Sequence, residues 1–235
     1  MMTELFRLAE VATVFNGKTP SKAEQRETGF PVLKIKNVSE NGEFRGTFTS
    51  FVDETLAKKY SARWVKSGDT LILNAAHNAD YVASKLFLAS NKVEGTLPTG
   101  EWLLVRPDTQ KIIPEYLHYW LRSPETCKTI RFIVKGIHLY PKDVAELTLH
   151  IPPIPEQRRI VDILSRAEGI VRLRREAQKK AAEIIPALFI DMFGDPATNP
   201  KGWPTRKVAD FVTRFEGGKN IQAGSGNGSD YRILR

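Results

Sequence analysis

Eleven polar side chains stand in or beside the short segments that interrupt this chain's apolar runs: Lys18, Thr19, Lys34, Lys36, Asn37, Asn74, His77, Asn78, Lys135, His138 and Lys142. Their chemistry is that of hydrogen bonding to a polyanion and its bases. An asparagine amide carries a donor and an acceptor that match one edge of adenine, and a lysine reaches guanine or a backbone phosphate. Each of them alone is an ordinary surface side chain, so only convergence on one face makes an interface.

Residues for bond-making chemistry are harder to find. Gly217-Gly218-Lys219 lacks both the glycine spacing and the hydroxyl residue of a phosphate-binding loop. No GxGxxG follows an apolar strand. Asn199-Pro200 is followed by Lys201 and Gly202, where an adenine methyltransferase shows a second proline and an aromatic. His77, His118, His138 and His150 have no ligand spacing with each other, and the single cysteine, Cys127, has no partner for a disulfide or a zinc site. The chain reads as a binding protein that is not an enzyme, with no catalytic or metal-ligating residue and no cofactor of its own.

Composition sets wide bounds. The 235 residues are 41% hydrophobic with a mean hydropathy of −0.31, enough for a globular core. No run approaches the roughly 18 apolar residues that span a bilayer, and the N-terminus lacks a signal-peptide pattern, so a cytoplasmic protein without membrane association is expected. The net charge of +8 permits an acidic partner without identifying one, because no segment is a polybasic tail.

The elements that must position the polar residues follow from periodicity. Leu5, Leu8, Val11, Ala12 and Phe15 have the spacing of an amphipathic helix, or of a short helix followed by a strand, ending at Gly17. Phe30 to Val38 predicts a strand with Val32, Leu33 and Ile35 inward and Lys34 and Lys36 on the opposite face, followed by a turn at Asn41-Gly42. Ser67-Gly68-Asp69 predicts a tight turn into a buried strand, Thr70 to Leu73, from which Asn74 to Asp80 departs. Trp102 to Val105 is a further strand, Pro114 opens a helix with Leu117, Trp120 and Leu121 on one side, and a second short helix begins near Pro124. The class is α+β.

From Glu156 to about Phe193 the pattern changes. Ile160, Ile163, Ala167, Ile170, Arg174, Ala177, Ala181, Ile184 and Leu188 recur at steps of 3 and 4, roughly four heptads with one polar core position at Arg174. Such a helix spans on the order of 55 Å and suits a spacer or a zipper, with packing along its own domain as the alternative. Pro186 predicts a kink near Ile185, and Gly194 followed by Pro196 is a helix stop.

An internal repeat lies at a separation of about 200 residues. Arg7-Leu8-Ala9-Glu10-Val11-Ala12-Thr13-Val14-Phe15-Asn16-Gly17 matches Lys207-Val208-Ala209-Asp210-Phe211-Val212-Thr213-Arg214-Phe215-Glu216-Gly217, and Phe30 to Lys34 matches Tyr231 to Arg235. A second copy of the first domain therefore begins near residue 196, with an opening helix and one strand that cannot form a domain by themselves.

At Leu149-His150-Ile151-Pro152-Pro153-Ile154-Pro155-Glu156-Gln157-Arg158-Arg159-Ile160-Val161 the sequence resembles the specificity subunit of type I restriction-modification systems. In that family such a segment joins each target-recognition domain to a conserved helix. Gly17-Lys18-Thr19-Pro20, Ser67 to Ile72 and Leu188 to Pro196 resemble further parts of the pattern. The resemblance implies a mixed α/β target-recognition domain over 1–152, one long coiled-coil-forming helix over 153–195 and a truncated second domain over 196–235. It implies double-stranded DNA, methyltransferase subunits and a restriction/translocase subunit as partners, with S-adenosylmethionine, ATP and Mg on those subunits. It also implies a half-subunit that homodimerises through the heptad residues to read a bipartite site. Two other readings stay open: the recognition portion of a fused methyltransferase-nuclease, and a coiled-coil adaptor that does not bind DNA.

Overall fold

The computed structural model describes residues 4–74, 81–214, 216 and 217, and the chain divides into two compact units, 1–172 and 173–235. His77, Asn78 and the repeat segment Tyr231 to Arg235 lie outside the described residues.

At the centre of the first unit is a four-stranded antiparallel sheet in the order β2 (Ala12–Asn16), β8 (Trp102–Pro107), β5 (Thr70–Leu73), β6 (Leu86–Leu88). Successive strand residues point to opposite faces, and both faces of this sheet are covered. Ile72, Leu103 and Val105 pack into one cluster with Leu117, Leu121 and Ile130. Leu71, Leu73, Trp102 and Leu104 pack into another with Leu33 and Phe87 on the other side. Burial on two sides is why β5 and β8 read as unbroken apolar runs rather than alternating ones. A three-stranded sheet orders β4 (Phe51–Val52), β3 (Phe30–Leu33) and β7 (Leu97–Pro98), with β3 and β7 parallel, and α1 (Glu54–Lys59) follows β4. Asp53 caps α1 by accepting from the Leu56 N–H at 2.8 Å. α2 (Pro114–Arg122) buries Leu117 and Leu121, and α3 (Pro124–Phe132) starts at a Ser123 cap. α4 (Pro141–Ala145) precedes β9 (Thr148–Ile151).

Two expected elements differ. The stretch 5–15 is not one amphipathic helix but follows the alternative of a short helix and a strand: a 3-10 helix at Leu8–Glu10 leads into β2, and β1 (Glu4–Arg7), which the spacing does not predict, precedes it. β1 pairs antiparallel with β9, far away in the chain, so a tertiary ladder overrides the helical spacing. The strand at Phe30 stops at Leu33, and Ile35–Asn37 is a 3-10 turn, so Lys34 and Lys36 do not share a strand face. The Asn37 Oδ1 accepts from the Lys34 N–H at 2.7 Å and tightens this turn.

An ion pair between the buried Asp69 and the partly buried Arg106 anchors the Ser67-Gly68-Asp69 turn. Arg106 donates through Nε to Asp69 Oδ1 at 2.9 Å and through Nη2 to Oδ2 at 2.7 Å, and its guanidinium lies over the Phe15 ring. The Asp69 carboxylate also accepts from the Lys66 N–H at 2.8 Å.

His118 on α2 is buried, with Nδ1 3.2 Å from Thr70 Oγ1. Burial is the main cause that lowers its pKa from the ordinary 6.5 to about 4, and the Arg122 charge adds to it. The folded state therefore holds fewer protons than the unfolded state between these two values. Stability is expected to rise by about 3 kcal/mol from pH 4 to pH 6.5. Urea unfolding across this range checks it, and a His118→Gln variant should lose most of the slope.

β9 stops at Ile151, directly before Pro152, and α5 (Ile154–Phe193) begins three residues later. Its buried anchor is Gln157, whose Oε1 accepts from the Ile113 N–H at 2.8 Å while Nε2 donates to the Lys111 and Pro152 carbonyls at 3.1 and 2.9 Å. Farther along, Glu168 accepts from Tyr119 Oη at 2.9 Å and from Arg122 Nη1 at 2.6 Å. Glu156, at the helix start, pairs with Arg159, and these hydrogen bonds hold its carboxyl below the usual range. Of the heptad residues Ile160 is half-buried and the others are exposed, Ile170 at 67%. The helix continues through Pro186.

In the second unit the Gly194 N–H donates to the Ile190 carbonyl and closes α5. Lys201 Nζ donates to the Asp191 and Met192 carbonyls, Trp203 Nε1 donates to that of Phe193, and Phe193 stacks at a tilt on Phe189 and Trp203. The two matched segments share a backbone device that also occurs at Ser21–Glu24. Val208–Asp210 is a 3-10 turn like Leu8–Glu10. In each copy the acidic residue accepts from the N–H of the basic residue three before it, Arg7 to Glu10 at 2.6 Å and Lys207 to Asp210 at 3.2 Å. The turn occupies the place where an opening helix is expected.

Candidate functional site

The polar residues that converge do so at one end of the central sheet. Asn16 closes β2, Asn74 follows β5, and the two flank β8. Asn74 Nδ2 donates to Asn16 Oδ1 at 2.9 Å, so each amide fixes the other's orientation. The Asn74 backbone is fixed as well: its N–H donates to the Glu101 carbonyl at 2.9 Å and its carbonyl accepts from the Leu139 N–H at 2.8 Å. Three chain segments meet at this residue. Together with Thr19, Gly100, Glu101, His138, Leu139 and Tyr140 the amides line an open cleft of about 420 Å³.

The loop that carries Lys18 and Thr19 is stitched to the segment 98–100. The Lys18 N–H donates to the Pro98 carbonyl at 2.8 Å, and Thr19 Oγ1 accepts from the Gly100 N–H at 2.9 Å. Gly17 permits this approach, since a Cβ there would collide with the Pro98 and Thr99 carbonyls. Arg63 holds the same loop from the other side, donating through Nη1 to the Asn16 and Gly17 carbonyls at 3.0 Å each. Lys18 and Lys59 then place their ammonium groups 5.6 and 5.7 Å from the centre of the Tyr60 ring. Neither lysine is in the cleft lining; Lys18 is the chain neighbour of Thr19, which is.

Of the residues selected from the sequence, Thr19, Asn74 and His138 line the cleft, and the Lys18 ammonium lies over the Tyr60 ring. Asn37 is buried, and its Nδ2 donates to the Thr47 carbonyl at 2.8 Å, so its amide is spent inside the domain. Lys135 is held by both Asp143 oxygens, at 2.8 and 2.7 Å. Lys34 reaches Gln25, and Lys36 and Lys142 are exposed outside the lining of this cleft. Asn16, Glu101, Tyr140 and Lys59 were not singled out from the sequence. The signal for Asn16 was its place at the end of an alternating segment directly before Gly17; Lys59 sits on a short helix and carried none.

The α+β domain that carries this cleft runs directly into a 40-residue helix. The chain belongs to the type I restriction modification DNA specificity domain family, whose model matches residues 3–183. It is 24% identical over 172 residues to a protein of Methanocaldococcus jannaschii assigned as the type I restriction enzyme MjaX specificity subunit, covering 72% of this chain and 40% of that one. It is 23% identical over 116 residues to the type I restriction enzyme HindI specificity subunit of Haemophilus influenzae, covering 47% and 25%. The chain thus spans well under half the length of these relatives. Among solved structures, a chain from the assembly and conformational transition of the type I R-M system matches with a TM-score of 0.60 at 21% identity, covering 79% of this chain and 43% of that one. The HsdS subunit from Thermoanaerobacter tengcongensis matches at 0.51 and 22%, covering 83% and 50%. These similarities establish the α+β fold with its long helix.

Proposed function

We propose that this chain is the DNA-reading part of a type I restriction-modification complex, directing methyltransferase and restriction subunits to a bipartite site. The observation that carries the reading is the convergence of Asn16, Thr19, Asn74, Glu101, His138 and Tyr140 on one cleft in a domain of this family. Paired amides suit adenine and a carboxylate suits the cytosine amino group, while Lys18 and Lys59 bind backbone phosphate. Methyl transfer with S-adenosylmethionine, and ATP- and Mg-dependent steps, belong to the partner subunits. The exposed heptad residues of α5, among them Ile163, Ile170, Ile184 and Leu188, support pairing with a second copy, which would supply the other half-site.

Selection from a randomised duplex pool by the chain with its methyltransferase subunits tests the reading. A single enriched bipartite sequence is expected, and enrichment of none overturns it. Lys59→Ala should weaken binding to all sequences alike and reduce the slope of log affinity against log salt by about 0.9. Sedimentation should give a dimer at micromolar concentration that Ile170→Asp dissociates; a monomer at high micromolar concentration removes the pairing.

A further inference from the structure

Beside the cleft the chain makes a tight two-residue turn. The Lys135 N–H donates to the His138 carbonyl at 2.9 Å and the His138 N–H donates back to Lys135 at 3.1 Å, leaving Gly136 and Ile137 at the tip. Gly136 has φ +64°, which places a glycine where a type II′ turn requires one. The turn is fastened at both ends. On one side Lys135 is ion-paired to Asp143, and on the other Leu139 is buried and its N–H is bonded to the Asn74 carbonyl. The turn presents Ile137, 43% exposed, one residue from His138 in the cleft lining. An aliphatic side chain raised on a braced tip beside polar reading groups has a specific use in a major groove, where thymine alone among the four bases displays a methyl group.

We propose that Ile137 is a specificity-determining residue that reads the 5-methyl group of a thymine next to the base pair held by the Asn16–Asn74 amides. The assignment rests on the DNA-reading function above and adds an apolar contact to it. The hydrogen bonds that close the turn and tie Leu139 to Asn74 reduce the conformational freedom lost when the contact forms.

The duplex selected by the full chain with its methyltransferase subunits supplies the probe, with each thymine replaced singly by deoxyuridine, which lacks only the methyl group. At one position the wild-type chain is expected to bind the deoxyuridine duplex about fourfold more weakly, the worth of one buried methyl group. Ile137→Ala should bind the thymine duplex more weakly and no longer distinguish the two, while Ile137→Val keeps most of the discrimination. Both variants should melt as the wild type does, since the side chain is exposed. Indifference of the wild type at every thymine, a selected site without thymine, or unchanged discrimination in Ile137→Ala overturns the assignment and leaves the DNA reading standing. Loss of methyltransferase association in Ile137→Ala with duplex binding intact overturns it in favour of a protein contact. Selection of no duplex by the wild type overturns both.

Discussion

Asp69→Ala is expected to destabilise the first unit by about 3–5 kcal/mol, a large fraction of the stability of a typical domain. The carboxylate is 1% exposed and receives both the Arg106 fork and the Lys66 N–H. Without it the guanidinium stays between the Trp64 carbonyl and the Phe15 ring with its charge uncompensated. Breaking one side of a buried pair costs more than replacing both. Asp69→Ala with Arg106→Met should therefore be more stable than Asp69→Ala alone, and a double-mutant cycle by urea unfolding measures the coupling. If the single and double variants unfold at the same urea concentration, the pair is not what holds the turn. The effect should reach the cleft, since Phe15 immediately precedes Asn16 on β2.

How much of this was legible depended on where each element finds its partners. β5 and β8 were readable because both faces of their sheet are buried, which writes Thr70-Leu71-Ile72-Leu73 and Trp102-Leu103-Leu104-Val105 as apolar runs. α5 and its stop at Gly194 were readable because helix periodicity and termination are local. The opening segment was not. β1 exists only through its register with β9, Glu4 opposite Ile151 and Arg7 opposite Thr148, and no window around Leu5 contains that information. The repeat was legible as residue types, yet its shared content, a 3-10 turn closed by Glu10 or Asp210, is a backbone device that residue types alone do not distinguish from a helix start.

The site was legible by chemistry and not by position. Asn37 and Asn74 are the same residue type after apolar segments, and both are nearly buried. The difference lies in what surrounds them. The Asn37 amide bonds to the Lys34 and Thr47 backbone, whereas Asn74 bonds to another amide in an open cleft. Tyr140 and Glu101 join that cleft only because the Asn74 backbone ties segments 101 and 139 together.

The same distinction between a visible motif and its physical role gives the second large effect, at the junction of domain and helix. Gln157→Glu should cost about 3 kcal/mol near neutral pH, although the two side chains have the same shape. The retained oxygen still accepts from the Ile113 N–H, but the amide nitrogen that donates to the Lys111 and Pro152 carbonyls becomes an oxygen facing them. A carboxylate buried against two carbonyls is stable only when protonated, so the folded state raises the pKa of the new acid above its unfolded value near 4.3. The variant should be closest to wild type below that value and lose stability as pH rises through the raised pKa. His118 adds stability between pH 4 and 6.5 in both proteins, so the loss shows in the difference between them. The urea midpoint of the variant should therefore lie further below that of the wild type at pH 7.5 than at pH 4.5. Parallel pH profiles would mean that Gln157 fills space at the junction without its hydrogen bonds mattering, and the Pro-Glu-Gln segment would then need another explanation.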